Sequence, residues 1–297
     1  MENLRHTFDT ELVIEPPNQS PITIQATGLE GRHGKFIVPT YDKLVGQAMV
    51  NYGEYSYLEF QLFEDVIKPH FIVGEIGANI GAHTVGLSKL VPNGKVIAFE
   101  PQLLCYTFLM ANMALNNIQN VDVYQLGLGN KEETMIAPAL IWNDSYAKNG
   151  MNLMHYAGVH LLPDTEESKL ERVLVTRGDT LFTDGLDFLK VDVEGMEKKV
   201  LEGLTATIKK YNPIIYVEND KLEKSTELIE YCWSLGYTLH WHIPPLFNPD
   251  NYFGNSKNTW TNIHSFNMIG FKNAKINLPL VTLVHPYDLS ARKGRFA

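Results

Sequence analysis

Apolar residues in this chain follow two rhythms. From residue 71 onward, short apolar runs at 71–73, 95–99, 121–126, 186–191, 213–217 and 237–243 read as strands. A parallel strand covered on both faces is apolar on both sides rather than alternating. Between these runs the apolar positions recur at helical spacing and predict helices over 80–90, 103–116, 196–211 and 222–235. In the third of these, Met196, Val200, Leu201, Leu204 and Ile208 fall on one face. Strand and helix alternating in this way predict an α/β fold, a doubly wound sheet with helices on both faces.

Upstream the rhythm differs. β-like runs at 12–14, 22–24 and 36–38 are separated by Pro16 and Pro17 and by the glycines of 31–34, which predicts a small antiparallel ribbon. Helical spacing follows at Leu58, Leu62, Phe63, Val66 and Ile67. The expected organisation is an N-terminal β-ribbon and helical extension over 1–56 and a main domain over 57–297. Substrate loops are expected at about 142–162 and 241–262, the first being an irregular stretch rich in Asn, Gly and His.

Composition narrows the function. A chain of 297 residues is long enough for one large α/β domain with additions. With 25 basic against 34 acidic residues the formal charge is −9, and no basic stripe interleaved with aromatics is present, which points away from nucleic acid as a partner. Lys209 and Lys210, and the basic group Arg292, Lys293 and Arg295, read as solvated charge. Cys105 and Cys232 sit in apolar helical patterns and read as buried small hydrophobes. No N-terminal stretch has the pattern of a signal peptide and no apolar run is long enough to span a bilayer, so the expectation is a soluble, cytoplasmic protein.

The segment 71–102 carries the main chemical signal. A strand leads into a turn, Glu75 to Gly81, whose glycines let the backbone approach a ligand against bare amides. A helix N-terminus follows, and a second strand then ends at Glu100, placed to accept hydrogen bonds from both hydroxyls of a ribose. Dinucleotide binders show G-x-G-x-x-G, whereas Gly74, Gly77 and Gly81 are spaced differently and the turn carries Glu75 and Asn79. An acid there repels a pyrophosphate and attracts an ammonium and a sulfonium, which favours S-adenosylmethionine over NAD.

Ligands in open α/β sheets lie at the carboxyl ends of the strands. Those ends carry Glu75, Glu100, Gly127 to Asn130, then Asp192, Glu194 and Gly195, and finally Glu218, Asn219 and Asp220. Asp192 and Glu194, two residues apart, point the same way if the chain stays extended. Either caps the next helix, acts as a general base, cradles a cationic cofactor end, or forms half of a divalent metal site that Glu218 completes. The aromatic and amide-rich segment 241–255 suits the lining of a pocket for a polar ring, and His242 within it is a further candidate base alongside a structural role. His83 reads as a packing or capping residue at the start of the cofactor helix.

Together, Gly53-Glu54-Tyr55, VGEIGANIGAHT at 73–84, VIAFEP at 96–101 and LKVDVEGMEKKVLEGL at 189–204 resemble the FkbM family of S-adenosylmethionine-dependent methyltransferases. The resemblance runs from about residue 42 to 218. It implies a class I methyltransferase (Rossmann-like) fold of seven strands, the last antiparallel and falling at 265–271, and O-methylation of a hydroxyl on a sugar, glycan or natural product. By position it assigns Glu75, Gly77, Asn79, Gly81 and Gly127 to the cofactor and Glu100 to the ribose. Glu54 and Tyr55 approach the cofactor from the N-terminal side, and Asp192 and Glu194 sit at the reaction centre. Many members carry Asp where Glu75 stands. The rival readings are an NAD-dependent oxidoreductase or epimerase and a noncatalytic cofactor-binding module. Acceptor identity and oligomeric state are not legible in the sequence.

Overall fold

A computed structural model describes residues 7–14, 21–40, 42–138, 170–272 and 279–286. The expected loop at 142–162 and the basic residues Arg292, Lys293 and Arg295 lie outside the described residues.

The chain opens with β1 (Thr7–Ile14), β2 (Ile22–Gly31) and β3 (Gly34–Pro39), paired in sequence order as an antiparallel sheet. Helices α1 (Val45–Tyr52) and α2 (Tyr57–Val66) lead into β4 (Ile72–Ile76). There follow α3 (Thr84–Leu90), β5 (Lys95–Phe99), α4 (Leu103–Leu115) and β6 (Val121–Tyr124). A small second sheet is made by β7 (Gly127–Leu128), β8 (Glu133–Pro138) and β9 (Leu170–Thr176). Then come β10 (Phe188–Val191), α5 (Glu197–Gly203), α6 (Thr205–Tyr211), β11 (Ile214–Glu218), α7 (Leu222–Ser234), β12 (Thr238–His242), β13 (Asn267–Phe271) and β14 (Val281–Thr282).

The central sheet has the order β14-β12-β13-β11-β10-β4-β5-β6. Strands β11, β10, β4, β5 and β6 pair in parallel, while β13 runs antiparallel to both β11 and β12. Among the described residues the sheet thus has eight strands rather than the seven expected, and its antiparallel strand β13 lies where the 265–271 run predicts it. A short eighth strand, β14, pairs with β12 at the edge.

Alternation along the strands divides the core into two layers. Val73, Val96, Ala98, Phe188, Tyr216 and Ile269 pack with α2, α3, α4 and the apolar residues of β2 and β3 on one face. Ile76, Ile97, Phe99, Leu189, Val191, Ile215 and Val217 pack with α5, α6 and α7 on the other. The N-terminal sheet is tied to the first layer by Asn112 of α4. Its amide accepts from Ile37 N–H at 2.7 Å and donates to the carbonyls of Ile37 and Ile80 at 3.1 and 2.8 Å.

Two helices differ from expectation. The helix expected from residue 80 begins at Thr84, because the turn before it consumes four more residues in closing on itself. The single helix expected over 196–211 is broken at Leu204, whose φ of −110° and ψ of 12° leave the helical region. Gly203, just before the break, lies so close to the carbonyl of Gly129 that a Cβ would collide with it. Thr205 turns its hydroxyl back onto the Glu202 carbonyl at 2.7 Å.

Candidate active site

A cavity of about 210 Å³ opens at the carboxyl ends of β4, β5 and β10. Register explains its lining. Glu75 of β4 pairs with Ala98 on one side and Lys190 of β10 on the other, and Lys190 pairs with Tyr216 of β11. A carboxylate, an ammonium and a phenol thus form one cross-strand row within an otherwise apolar layer. Glu59 of α2 packs over this row and Asp192 extends it.

The row is dry. Glu75 is 1% and Lys190 3% exposed. Lys190 Nζ pairs with Asp192 Oδ2 at 2.9 Å, and Thr84 Oγ1 donates to Glu75 Oε2 at 2.7 Å. Burial pushes Glu75 and Glu59 each up to about 7, against the attraction of Lys190. Burial works against the charged form of Lys190 too, but Asp192, Glu59 and Glu75 outweigh it and hold the ammonium above the ordinary lysine value. Tyr55 lies beside these acids and is kept firmly protonated, first by burial and then by the charges of Asp192 and Glu59.

The turn after β4 coils through three left-handed residues, Gly77, Asn79 and Gly81, with φ of 86°, 52° and 84°. A Cβ on Gly77 would strike the carbonyl oxygen of Asp192, so only glycine lets β4 and β10 end this close together. The amides expected to be bare are not. Gly77 and Ala78 N–H donate to Phe99 O, Asn79 N–H to Glu100 Oε2, Ile80 N–H to Asn79 Oδ1 and Gly81 N–H to Ala78 O. The donors of the turn are taken by the end of β5 and by the turn itself, which leaves it a poor cradle for a pyrophosphate.

Glu100 is 6% exposed, and both its oxygens accept backbone N–H groups, from Asn79 and Gln102, each at 2.9 Å. Burial nonetheless raises its carboxyl to about 7. Two oxygens fixed by backbone donors, each with a further lone pair, can accept from two vicinal hydroxyls. Leu126, Leu128, Val173 and Val175 supply an apolar wall beside it, the last three from the small second sheet.

Of the residues singled out in the sequence, Tyr55, Glu75, Gly77, Asn79, Glu100, Gly127, Asp192, Glu194 and Glu218 line the cavity together. Three do not. Glu54 lies apart from the lining. Its carboxylate accepts from Arg32 Nε at 2.6 Å, Asn248 Nδ2 at 2.8 Å and Tyr252 N–H at 2.9 Å, so it ties the segment after β12 to the N-terminal region. Gly81 faces Leu109 and Met113 of α4. His242 also lies off the cavity, and its Nδ1 is hydrogen-bonded to Tyr216 Oη at 2.9 Å. None of residues 241–262 lines the cavity, because the amides of Asn248 and Asn255 bond Glu54 and the Asn51 carbonyl instead.

The D-x-E-G turn also departs from expectation. Its strand ends at Val191, and Glu194 and Gly195 curl at φ of 56° and 94°. Asp192 and Glu194 therefore take different cations: Lys190 for one, and Lys221 at 2.8 Å for the other. Neither caps α5. The helix has no side-chain cap, and its first residue, Glu197, reaches back to accept from Gly195 N–H at 2.8 Å and Val193 N–H at 3.3 Å, which closes the turn. For the metal alternative, which paired Asp192 with Glu218, the acids that come close enough among the described residues are instead Glu194, Glu218 and Asp220, with ligand atoms within 4.8 Å of one another. Lys221 already bridges Glu194 and Asp220, at 2.8 and 2.7 Å. Oε2 of Glu218 is buried without a partner, and burial followed by Asp192 and Glu194 keeps this carboxyl well above the usual range. His83 caps nothing. Its ring packs on Tyr55, Phe60 and Phe63, and burial keeps it neutral.

Sequence reasoning missed Glu59, Lys190 and Ser265, all in the lining. Both charged residues had a signal. Glu59 shares a helix face with Phe63 and Val66, so the apolar periodicity of α2 carries it into the core. Lys190 interrupts a strand whose four residues are all buried.

A doubly wound sheet with β13 inserted antiparallel between β11 and β12, and a cavity at the carboxyl ends of β4, β5 and β10, defines a class I methyltransferase fold. The Methyltransferase FkbM domain model matches residues 75–239, more than half of the chain, and the chain belongs to that family. Methyltransferase 1 of Beauveria bassiana is 31% identical over 145 residues, covering 45% of this chain and 58% of that protein. The chain thus spans little more than half the length of that relative. Methyltransferase sdnD of Sordaria araneosa is 28% identical over 200 residues, covering 54% and 75%. The 31-O-demethyl-FK506 methyltransferase FkbM of Streptomyces tacrolimicus is 25% identical over 234 residues, covering 67% and 88%. Among solved structures, the methyltransferase FkbM from Methylobacillus flagellatus KT has a TM-score of 0.46 at 16% identity, covering 69% of this chain and 44% of that one.

Proposed function

We propose that this protein is an S-adenosylmethionine-dependent methyltransferase acting on a hydroxyl of a small natural product or sugar. The observation that carries the reading is the acidic lining of the cavity, which sets six acidic side chains against a single lysine around an apolar wall. Such a lining suits a ligand with an apolar ring, a diol and two positive centres, and it disfavours a pyrophosphate.

The residues fit the cofactor by chemistry. Glu100, fixed by two backbone donors, would accept from the ribose hydroxyls. Leu126, Val173 and Val175 would pack on the adenine, and Glu75 would supply the charge for the methionyl ammonium. When bound, S-adenosylmethionine supplies an electrophilic methyl on a cationic sulfur. The protein has then to align the acceptor and take its proton, since a neutral hydroxyl is a weak nucleophile.

Asp192 is the residue we assign to that proton. It lines the cavity, its Oδ2 is anchored by Lys190, and its Oδ1 has no partner among the described residues. The O-methyl character of the reaction rests on the family and on the printed name of the Streptomyces relative.

Calorimetry with S-adenosylhomocysteine and with NAD tests the cofactor, with binding of the first alone expected. A radiolabelled methyl-transfer screen over hydroxylated sugars and polyketides tests the acceptor. On the acceptor so found, Asp192→Ala should cut turnover at least about a hundredfold and leave S-adenosylhomocysteine affinity within about threefold. Full turnover in that variant removes Asp192 from the assignment.

A further inference from the structure

Glu59 differs from the other five carboxylates of the cavity in origin. It comes from α2, ahead of the segment 75–239 that matches the family model. It is 4% exposed, and three donors converge on its Oε2: Ser56 Oγ at 3.1 Å, Ser265 Oγ at 3.0 Å and Asn267 Nδ2 at 3.4 Å. Ser265 and Asn267 also lie outside the matched segment. The carboxylate and its anchors are therefore a unit contributed from both sides of the matched segment. One oxygen is held by donors, while the other has no hydrogen-bond partner among the described residues.

The charged and titratable groups around Glu59 come from every element packed on it. They are Lys190 of β10 and Asp192 just past its end, Glu75 of β4, Tyr216 and Glu218 of β11, Tyr55 ahead of α2, and His83 just before α3. His83 is held neutral and both phenols are held protonated, so the balance lies among the acids and Lys190. Lys190 Nζ is engaged by Asp192, and one ammonium cannot neutralise Asp192, Glu59 and Glu75 together. Burial drives Glu59 up to about 7 in response. The wall lacks a positive charge, and a cationic ligand would supply it.

We propose that Glu59 is a specificity residue for the charge on the cofactor's sulfur, its unpartnered carboxylate oxygen favouring the sulfonium of S-adenosylmethionine over the neutral thioether of S-adenosylhomocysteine. The inference rests on the cofactor reading given above. Donor and demethylated product have nearly the same shape, so packing separates them poorly. A buried negative charge lining the cavity separates them directly, and it weakens the hold on the product once the sulfonium charge has left.

The test is titration calorimetry of the full chain and of Glu59→Gln at about pH 8 with S-adenosylmethionine, S-adenosylhomocysteine and sinefungin, which carries an amine-bearing carbon in place of the sulfonium. Glu59→Gln should weaken S-adenosylmethionine and sinefungin roughly tenfold, the effect of one charge across about 10 Å at an effective dielectric near 20. S-adenosylhomocysteine should change by less than about twofold. An unchanged ratio of donor to product affinity overturns the proposal, and so does an equal weakening of both, which would place Glu59 at the ammonium or in packing alone. A wild-type chain that binds neither molecule overturns the cofactor reading itself.

If Glu59→Gln fails to fold by circular dichroism, Ser265→Ala replaces it. Loss of that donor favours the protonated acid, so discrimination should fall at about pH 7 and return at about pH 8.5. Discrimination unchanged from wild type at both values overturns the proposal.

Discussion

Glu59, Glu75 and Glu100 are each buried and each pushed up to about 7, from an ordinary value of 4.5. Between those values the folded chain holds protons that the unfolded chain has released. By linkage, their contribution to stability is therefore greatest below about 4.5 and is lost as pH rises through 7. His33 and His83, lowered by burial, act in the opposite sense below 6.5, so the profile of the wild type alone mixes the two. Comparison with Glu75→Gln cancels the histidines. Relative to wild type this variant should gain roughly 1–3 kcal/mol between about pH 5 and pH 8 in denaturant melts. No relative gain would mean that Glu75 is charged and satisfied in the fold. Cofactor affinity should move the other way with pH in the wild type, tightening as the acids ionise, and calorimetry across the same range checks it.

Among the elements, the turn between β4 and α3 has the narrowest tolerance. Gly77→Ala forces a side chain into a left-handed conformation and against the Asp192 carbonyl. It should cost about 2–4 kcal/mol and abolish S-adenosylhomocysteine binding, read by thermal shift with and without the ligand. This turn also shows how far the sequence could be read. Its strand, its glycines and the acid at the end of β5 were legible because each follows from local chain chemistry. The satisfaction of its amides was not, since the acceptors Phe99 O and Glu100 Oε2 come from the neighbouring strand. The break at Leu204 was hidden for the same reason: Gly203 is set by its contact with Gly129, far away in the chain. Lys190 and Glu59 lay in plain view, but a charge inside an apolar pattern reads as an exception until the register sets Glu75 beside it.

For the molecule as a whole, the segment after β12 behaves as a strap. Glu54 gathers Arg32, Asn248 and Tyr252, Tyr52 Oη bonds the Lys257 carbonyl at 3.0 Å, and Phe253 N–H donates to Tyr52 O at 3.1 Å. The aromatics and amides that suggested an acceptor pocket are used to join the segment after β12 to Arg32 and to residues 51–54. Glu54→Ala removes the carboxylate partner of a partly buried guanidinium, which keeps only the Asp250 carbonyl and the Tyr57 ring. It should lower stability by about 2 kcal/mol or more and speed limited proteolysis within 244–262, with S-adenosylhomocysteine affinity within about threefold of wild type. A large loss of that affinity would return Glu54 to the cofactor site.

The insertion of β13 between β11 and β12 has a consequence for how the protein is made. Both neighbours leave the ribosome before it does, and until residues 267–271 emerge each presents an open edge with no strand to fill the space between them. Those unpaired edges are a hazard to a nascent chain in a crowded cell. A chain ending at about residue 263 should therefore sediment with aggregates rather than accumulate as a folded fragment, although it would contain the whole segment that matches the family model.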